Sequence, residues 1–167
     1  MNSVPDLLRS SSIKHLSEGR ERLHKCVGML TEAQVRQRAN ANTASVGNLV
    51  LHLCGNVGQW INSTLGRQPD HRNRDIEFSD AGSLDKSQLL ERLDATMATA
   101  TTIISALPDA DLTNTFKVQI YAETGAAIIM HVTEHFSYHV GQVTLHTKLL
   151  LDIDTGYYAG QDLSAKP

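Results

Sequence analysis

Apolar residues recur with a helical period in four long segments of the chain, and polar stretches separate these segments. The segments cover residues 5–30, 44–65, 85–107 and 123–150. Apolar positions that follow the helical repeat lie on one side of a helix. The second segment has the clearest pattern, and the first is irregular around residues 10–12. Four amphipathic helices of this length predict an all-α fold, in which a four-helix bundle buries the apolar faces against one another.

The polar stretches predict the connections. Residues 31–42 predict a short helix followed by a loop. Residues 108–122 predict a connection in which residues 116–121, with the sequence FKVQIY, are briefly extended. Residues 66–83 are rich in Gly, Pro, Asp, Asn and Ser without a period, which predicts the main loop of the fold. A loop of this length in a compact helical domain is often a lid or a binding loop.

Local signals mark where three of the helices begin. Pro5 suits a first helical turn. Asp85 and Gln88, three residues apart, resemble a capping box, and Thr124 is expected to cap the last helix. These signals predict the starts of the first, third and fourth long helices.

Composition limits the class of protein. A chain of 167 residues, 41% hydrophobic and 20% charged, is expected to form one globular domain over residues 1–167. A net charge of -3 without a basic cluster argues against a nucleic-acid partner. The chain has no apolar run of eighteen residues and no apolar signal core at its start, so we expect no membrane association and a cytoplasmic protein. Cys26 and Cys54 fit no metal or redox spacing and are expected to be reduced thiols.

Four of the eight histidines lie in the last helical segment. His135 and His139 are one helical turn apart, about 6 Å along the axis, so their imidazoles can share one ion. His131 could pair with His135 in the same way, and this helix alone leaves the register open. His146 is a further seven residues on, roughly 10 Å along the axis, too far to join His135.

The third ligand is expected from the second helical segment. A row of polar residues flanks its apolar face, and His52 is the only histidine in that row. A single histidine in this position is more often structural, but the pair on the last helix favours a ligand. The site that these two helices favour therefore combines His52 with His135 and His139. Asn56 and Gln59, one and two turns from His52, could hold polar groups of a substrate.

Other polar side chains are expected to be solvated. Glu134, beside His135, points about 100° away from it on a helix and is better placed for solvent than for the site. His15 and His24 are out of register for a shared site on one helical face. Four loop side chains could meet an anionic ligand, although ordinary solvent exposure fits them better. They are Arg67, His71, Arg72 and Arg74.

Three imidazoles leave open coordination positions, as catalytic metal sites do. We expect Zn or Ni, with Fe or Mn as further candidates, because nitrogen ligands alone do not select the metal. A zinc peptidase is disfavoured, since Phe136 follows His135 where the HExxH motif has its glutamate. Cys54 is expected to be a small buried residue rather than a nucleophile.

Two segments resemble the signature helices of the DinB superfamily and of its branch labelled DUF1572, a domain of unknown function. They are SVGNLVLHLCGNVGQW at residues 45–60 and HVTEHFSYHVGQVTLHTKLL at residues 131–150. The resemblance extends through GRQPDHRNRDIEF and the tail DTGYY. That superfamily has one histidine on the second helix and an HxxxH motif on the fourth, directly before a turn that contains GQ. The resemblance thus implies that His135 and His139 are the pair and that His131 is outside the site.

The resemblance implies up-down-down-up connectivity, a divalent metal held by the three histidines and frequently a homodimer. Characterised relatives include mycothiol-dependent maleylpyruvate isomerase and bacillithiol S-transferases. The expected function is therefore a metal-dependent transferase that joins a low-molecular-weight thiol to a small electrophile. One alternative is a non-catalytic metal-binding bundle in sensing, stress response or assembly, and another is a bundle with core histidines and no metal. Tyr157 and Tyr158 could close the pocket or cover a subunit interface.

Overall fold

The computed structural model describes residues 3–79 and 82–166. Seven α-helices, one π-helix and a two-stranded hairpin follow one another in these ranges. They are α1 (Val4–Met29), α2 (Glu32–Arg36), α3 (Val46–Val57), the π-helix (Gly58–Leu65), α4 (Arg74–Ser79), α5 (Lys86–Ala106), α6 (Asp109–Thr113), β1 (Thr115–Val118), β2 (Tyr121–Thr124) and α7 (Gly125–Leu151). The fold is mainly helical, which confirms the predicted class.

The predicted helix starts are confirmed by their caps. The Asp85 side chain accepts from the Gln88 N–H, the Gln88 side chain accepts from the Asp85 N–H, and α5 begins after this capping box. The Thr124 hydroxyl accepts from the Ala127 N–H at the start of α7. Each pair satisfies backbone donors that a helix leaves free in its first turn. Pro5 lies in the first turn of α1, as expected.

Four long helical stretches surround one apolar core. The helix α1 packs against α5 and α7, and α3 packs against the same two helices on the opposite side of the core. The buried apolar side chains of all four belong to one cluster. In the parts of the chain that the structure describes, no helix is long and apolar enough to cross a membrane.

Contacts at the helix ends give the helix directions. The helices α1 and α5 are antiparallel, because Arg9 near the start of α1 donates to the Leu107 carbonyl at 3.0 Å, while Lys86 at the start of α5 donates to the Leu30 carbonyl just beyond α1. The helices α1 and α7 are parallel. Gly19 of α1 lies against Phe136 of α7, and further along both helices Cys26 and Thr144 contact the same tail residue, Tyr157.

The direction of α3 follows from its histidine. His52 meets His135, and Trp60 further along the chain meets His131, so α3 and its continuation run antiparallel to α7. Together the pairs order the long helices up, down, down, up.

Two connections contain more regular structure than the sequence predicts. The connection at 108–122 includes the short helix α6. The residues that were expected to be extended form part of an antiparallel hairpin, in which Val118 pairs with Tyr121. The main loop at 66–83 contains the short helix α4. Residues 80–81 of that loop lie outside the described residues.

The second long helix also changes its hydrogen-bond spacing. The sequence predicts one α-helix over residues 44–65, but from Gly58 onwards the chain forms a π-helix. At its end the Gly66 N–H donates to the Ile61 carbonyl at 2.9 Å, which spans five residues instead of four. The wider turns place Trp60 beside the hairpin and α7, where its ring lies 5.9 Å from Tyr121 and 4.0 Å from His131 between centroids.

Candidate metal centre

Three histidines from two helices meet at the centre of the fold. His52 projects from α3, and His135 and His139 project from successive turns of α7. One nitrogen from each lies within 4.8 Å of the others, and the Nε2 atoms of His52 and His135 are 2.9 Å apart. A tetrahedral ion with bonds of 2.0 to 2.1 Å needs nitrogens about 3.3 Å apart. The cluster therefore fits a divalent metal after small side-chain movements.

The remaining histidines of α7 are outside this cluster. The His131 ring stacks on His135, 5.5 Å away between centroids, and also lies against Trp60. His131 and His146 are absent from the group whose nitrogens converge. The structure thus brings together the three residues that the sequence singled out and leaves His131 beside them.

A carboxylate orients His52. Its Nδ1 donates to Glu77 Oε2 at 2.8 Å, which leaves Nε2 directed at the other two histidines. Arg72 donates to both carboxylate oxygens of Glu77, from Nε at 2.7 Å and from Nη2 at 3.0 Å. All three side chains are more than nine-tenths buried. Metal-binding histidines commonly have such a partner on the second ring nitrogen, and it fixes the tautomer.

An amide orients His139 in the same way. His139 Nδ1 lies 2.7 Å from Oε1 of Gln142, one turn further along α7, and donates to it. The tautomer that this hydrogen bond selects leaves Nε2 of His139 free for a metal. Both His52 and His139 therefore carry partners that prepare one nitrogen each.

The surroundings keep His135 and His139 in the neutral form. Burial lowers the pKa of His135 to about 3, and the neighbouring His139 and His52 add to the effect. Burial also lowers the pKa of His139. Burial alone would raise the pKa of Glu77, but its hydrogen bonds from His52 and Arg72 outweigh this and lower it. Neutral imidazoles are the form that binds a metal, so at neutral pH a metal does not have to displace an extra proton from His135 or His139.

A cavity of about 440 Å³ opens beside His52 and His135. Its walls come from α3, the π-helix, the main loop, the hairpin and α7. Asn56, Trp60 and His131 line it, together with Arg72, Arg74, Gln119, Tyr121, Glu123 and Ala127. A metal on the triad would thus face a space large enough for a small molecule.

The two substrate-binding candidates are placed differently. Asn56 is buried and lines the cavity. Gln59 instead forms hydrogen bonds to the main loop and to the turn of the hairpin. It donates to Asp70 at 2.8 Å and accepts from Arg72 and Gln119 at 2.9 and 2.7 Å. A substrate role for Asn56 stays a prediction that its position supports, and Gln59 has no place in the cavity wall.

Several expectations about solvated side chains are wrong. Arg72 is buried against Glu77, because the main loop folds back onto α3. His24 is half-buried and lies 2.7 Å from Asp94 on α5. His15 and Glu134 are exposed, as expected. The return of the main loop onto α3 buries Arg72, and an ion pair between two helices covers part of His24. The spacing of a single segment reveals neither of these contacts.

The tail packs away from the cavity. The hydroxyl of Tyr157 lies 2.9 Å from both Cys26 Sγ and Thr144 Oγ1, and the hydroxyl of Tyr158 accepts from Arg22 at 3.2 Å. These contacts hold the tail against α1 and α7. Neither tyrosine lines the cavity beside the histidines.

The metal-free protein is expected to lose stability as the pH falls from 6.5 towards about 3. Folding lowers the pKa of His135 from 6.5 to about 3, so in this interval the unfolded chain takes up a proton that the folded chain does not. The contribution of His135 to the free energy of unfolding is complete above pH 6.5 and declines below it. Urea unfolding of His135→Gln at several pH values should show a shallower decline than the wild type.

His15→Gln is the matched control for this titration, because His15 is an exposed histidine. It should keep the wild-type dependence on pH. A His135→Gln variant with the same slope as the wild type would contradict the role of His135.

The antiparallel and parallel pairing of the helices, with the histidine cluster between α3 and α7, defines a mainly helical protein with a candidate metal site. The chain belongs to the family described as Protein of unknown function (DUF1572), whose model matches residues 5–156. No curated protein is significantly similar to it.

Two solved structures share the fold. A conserved protein from Enterococcus faecalis is 16% identical, with a TM-score of 0.74, over 92% of this chain and 100% of that one. A DinB-like protein from Bacillus subtilis is 14% identical, with a TM-score of 0.65, over 86% of this chain and 94% of that one. At these identities the likeness concerns the fold.

Proposed function

We propose that the protein holds a divalent transition metal on His52, His135 and His139 and transfers a low-molecular-weight thiol to a small electrophile. The observation that carries this proposal is the convergence of three imidazoles, two of which, His52 and His135, line a cavity of about 440 Å³. A buried site without such a space would favour a structural metal. Zn or Ni is proposed first for this nitrogen donor set, with Fe or Mn next.

A metal with an open coordination position would lower the pKa of a bound thiol and so favour the thiolate, which is the nucleophile. The chain's own residues position the reactants. Trp60, Tyr121 and His131 provide an aromatic wall for a flat, unsaturated electrophile. Asn56 provides an amide that can hydrogen-bond a polar group of the substrate.

Other nucleophiles and bases fit less well. Cys54 is buried, and burial raises the pKa of its thiol to about 12. Phe136 occupies the motif position of a peptidase glutamate and is buried in the core, and Glu134 is exposed. An external thiol is therefore a better reactant than any side chain near the site. The homodimer that the resemblance implies and the cytoplasmic location that the sequence pattern predicts stay predictions.

Elemental analysis of protein purified without a histidine tag tests the proposal. The wild type should carry about one equivalent of a divalent transition metal per chain, and the triple variant with alanine at 52, 135 and 139 should carry none. The metal-loaded wild type should then accelerate the reaction of a small thiol with an electrophile such as monochlorobimane. Metal without acceleration across a panel of thiols and electrophiles favours the non-catalytic alternative. A wild type that binds neither Zn, Ni nor Mn favours core histidines without a metal.

A further inference from the structure

The segment between the π-helix and α5 places a buried ion pair directly on the metal centre. Within it, Arg72 and Glu77 lie against α3 at the level of His52. The backbone of this segment is held as well, because the Asn48 amide donates to the Glu77 carbonyl at 3.0 Å and Arg38 donates to the Phe78 carbonyl. Glu77 is thus fixed by its side chain and its backbone.

The helix α3 has a glycine where this ion pair approaches it. A Cβ atom on Gly55 would overlap Oε1 of Glu77, lie 2.7 Å from its Cδ and lie 3.0 Å from Nε of Arg72. Glycine is unfavourable inside a helix, since it adds backbone freedom to the unfolded chain. Its presence at this position gives the Glu77 carboxylate the room to reach His52.

A second chain of contacts holds Arg72 itself. Its Nη1 donates to Gln59 Oε1 at 2.9 Å, and its backbone N–H donates to Asp70 Oδ1 at 2.9 Å. Gln59 in turn donates to the other oxygen of Asp70 at 2.8 Å. Side chains of the π-helix and of the main loop therefore fix the guanidinium that holds Glu77.

We infer that Glu77 is a positioning residue of the metal centre, held by Arg72 and given access to His52 by the missing side chain of Gly55. By accepting from Nδ1–H of His52, the carboxylate keeps the proton on that nitrogen and the lone pair on Nε2, towards His135 and His139. Its negative charge also makes the imidazole a stronger donor to a cation. The inference rests on the metal site of the proposed function, but not on thiol transfer.

The affinity of the protein for Co²⁺, measured by competition with a chelator, tests this role. Gly55→Ala keeps every charge and every metal ligand, yet its methyl group should force the carboxylate away from His52. We expect its affinity for Co²⁺ to fall about 10- to 100-fold, the range found when partners of metal ligands are removed. Glu77→Gln, which keeps an acceptor but loses the charge, should show a smaller loss.

Gly28→Ala is the matched control, because Gly28 is another helical glycine and a Cβ there meets nothing within 4 Å. It should bind Co²⁺ like the wild type. Histidine ¹⁵N spectra of the metal-free proteins give a second measurement: the proton of His52 should be on Nδ1 in the wild type and in Gly28→Ala, and should shift towards Nε2 in Gly55→Ala.

The outcomes separate a positioning role from a purely structural one. If Arg72 and Glu77 only hold the main loop on the bundle, Gly55→Ala and Glu77→Gln will change the melting temperature but bind Co²⁺ within twofold of the wild type, which overturns the inference. If Gly55→Ala does not fold, the Co²⁺ affinity of Glu77→Gln alone decides between the two roles. A wild type that binds no Co²⁺ overturns the inference and the metal site together. A wild type that binds Co²⁺ but transfers no thiol leaves the inference standing and contradicts the transferase.

Discussion

His139→Ala is expected to lower the affinity for a divalent transition metal about 100- to 1,000-fold while the protein keeps its helical content. Structural zinc sites with four ligands gain roughly 10–16 kcal/mol, or about 3–4 kcal/mol for each ligand. The loss of one imidazole therefore corresponds to two or three powers of ten in affinity. Alanine is the best helix former, so α7 should not unwind. Chelator competition measures the affinity, and circular dichroism measures the helical content.

His131→Ala is the control for this variant, because His131 is on the same helix and contacts His135 without joining the cluster. It should retain the metal with an affinity close to that of the wild type. The reverse result, with the metal lost in His131→Ala and retained in His139→Ala, would contradict the pairing of His135 with His139.

Phe136→Ala is expected to cost about 3–5 kcal/mol in the free energy of unfolding, as buried phenylalanines do. The Phe136 side chain is only 1% exposed and belongs to the core cluster. Its ring also packs so closely on α1 that a Cβ on Gly19 would lie 2.8 Å from Cε1. Urea unfolding of the metal-free protein measures the loss.

Tyr138→Ala is the matched control in the same helix, since the Tyr138 side chain is 62% exposed. Its free energy of unfolding should stay within about 0.5 kcal/mol of the wild type, as is usual for surface substitutions. Equal losses in the two variants would show that the interface of α1 with α7 is not the tightly packed part of the core.

The sequence predicts the long helices well because their information is local. Apolar residues at the helical period define the buried faces, and short-range caps such as Asp85 with Gln88 and Thr124 define the starts. The short extended segment predicted before α7 is also present, as part of a β-hairpin. These features depend on residues only a few positions apart, so a single chain reveals them.

The histidine cluster is predictable for a related reason. His135 and His139 are one turn apart, and His52 is the only histidine in the polar row of its helix, so a few spacings and the family resemblance are enough. Gln142, three residues after His139, offered a usable signal that the sequence reasoning missed, because side chains at that spacing are neighbours on a helix.

Arg72 and Glu77 could not be predicted in the same way. They belong to a segment without a period, and they reach the site only because the chain returns across α3, 20 and 25 positions after His52. Their charges resemble those of any solvated loop. The role of Gly55 could not be predicted from the sequence either, because it depends on the Glu77 carboxylate, which approaches α3 from a different segment of the chain.

The π-helix between Gly58 and Leu65 carries the cavity residue Trp60 but none of the three clustered histidines. Its five-residue hydrogen bonds accommodate one more residue than an α-helix over the same rise. Deleting one residue there would allow an ordinary α-helix, so the side chains within the segment would point in new directions while the residues after it keep their register. His52 lies before this segment and would keep its place. Small insertions and deletions in this segment would thus reshape one wall of the cavity without moving the histidines of α3 and α7.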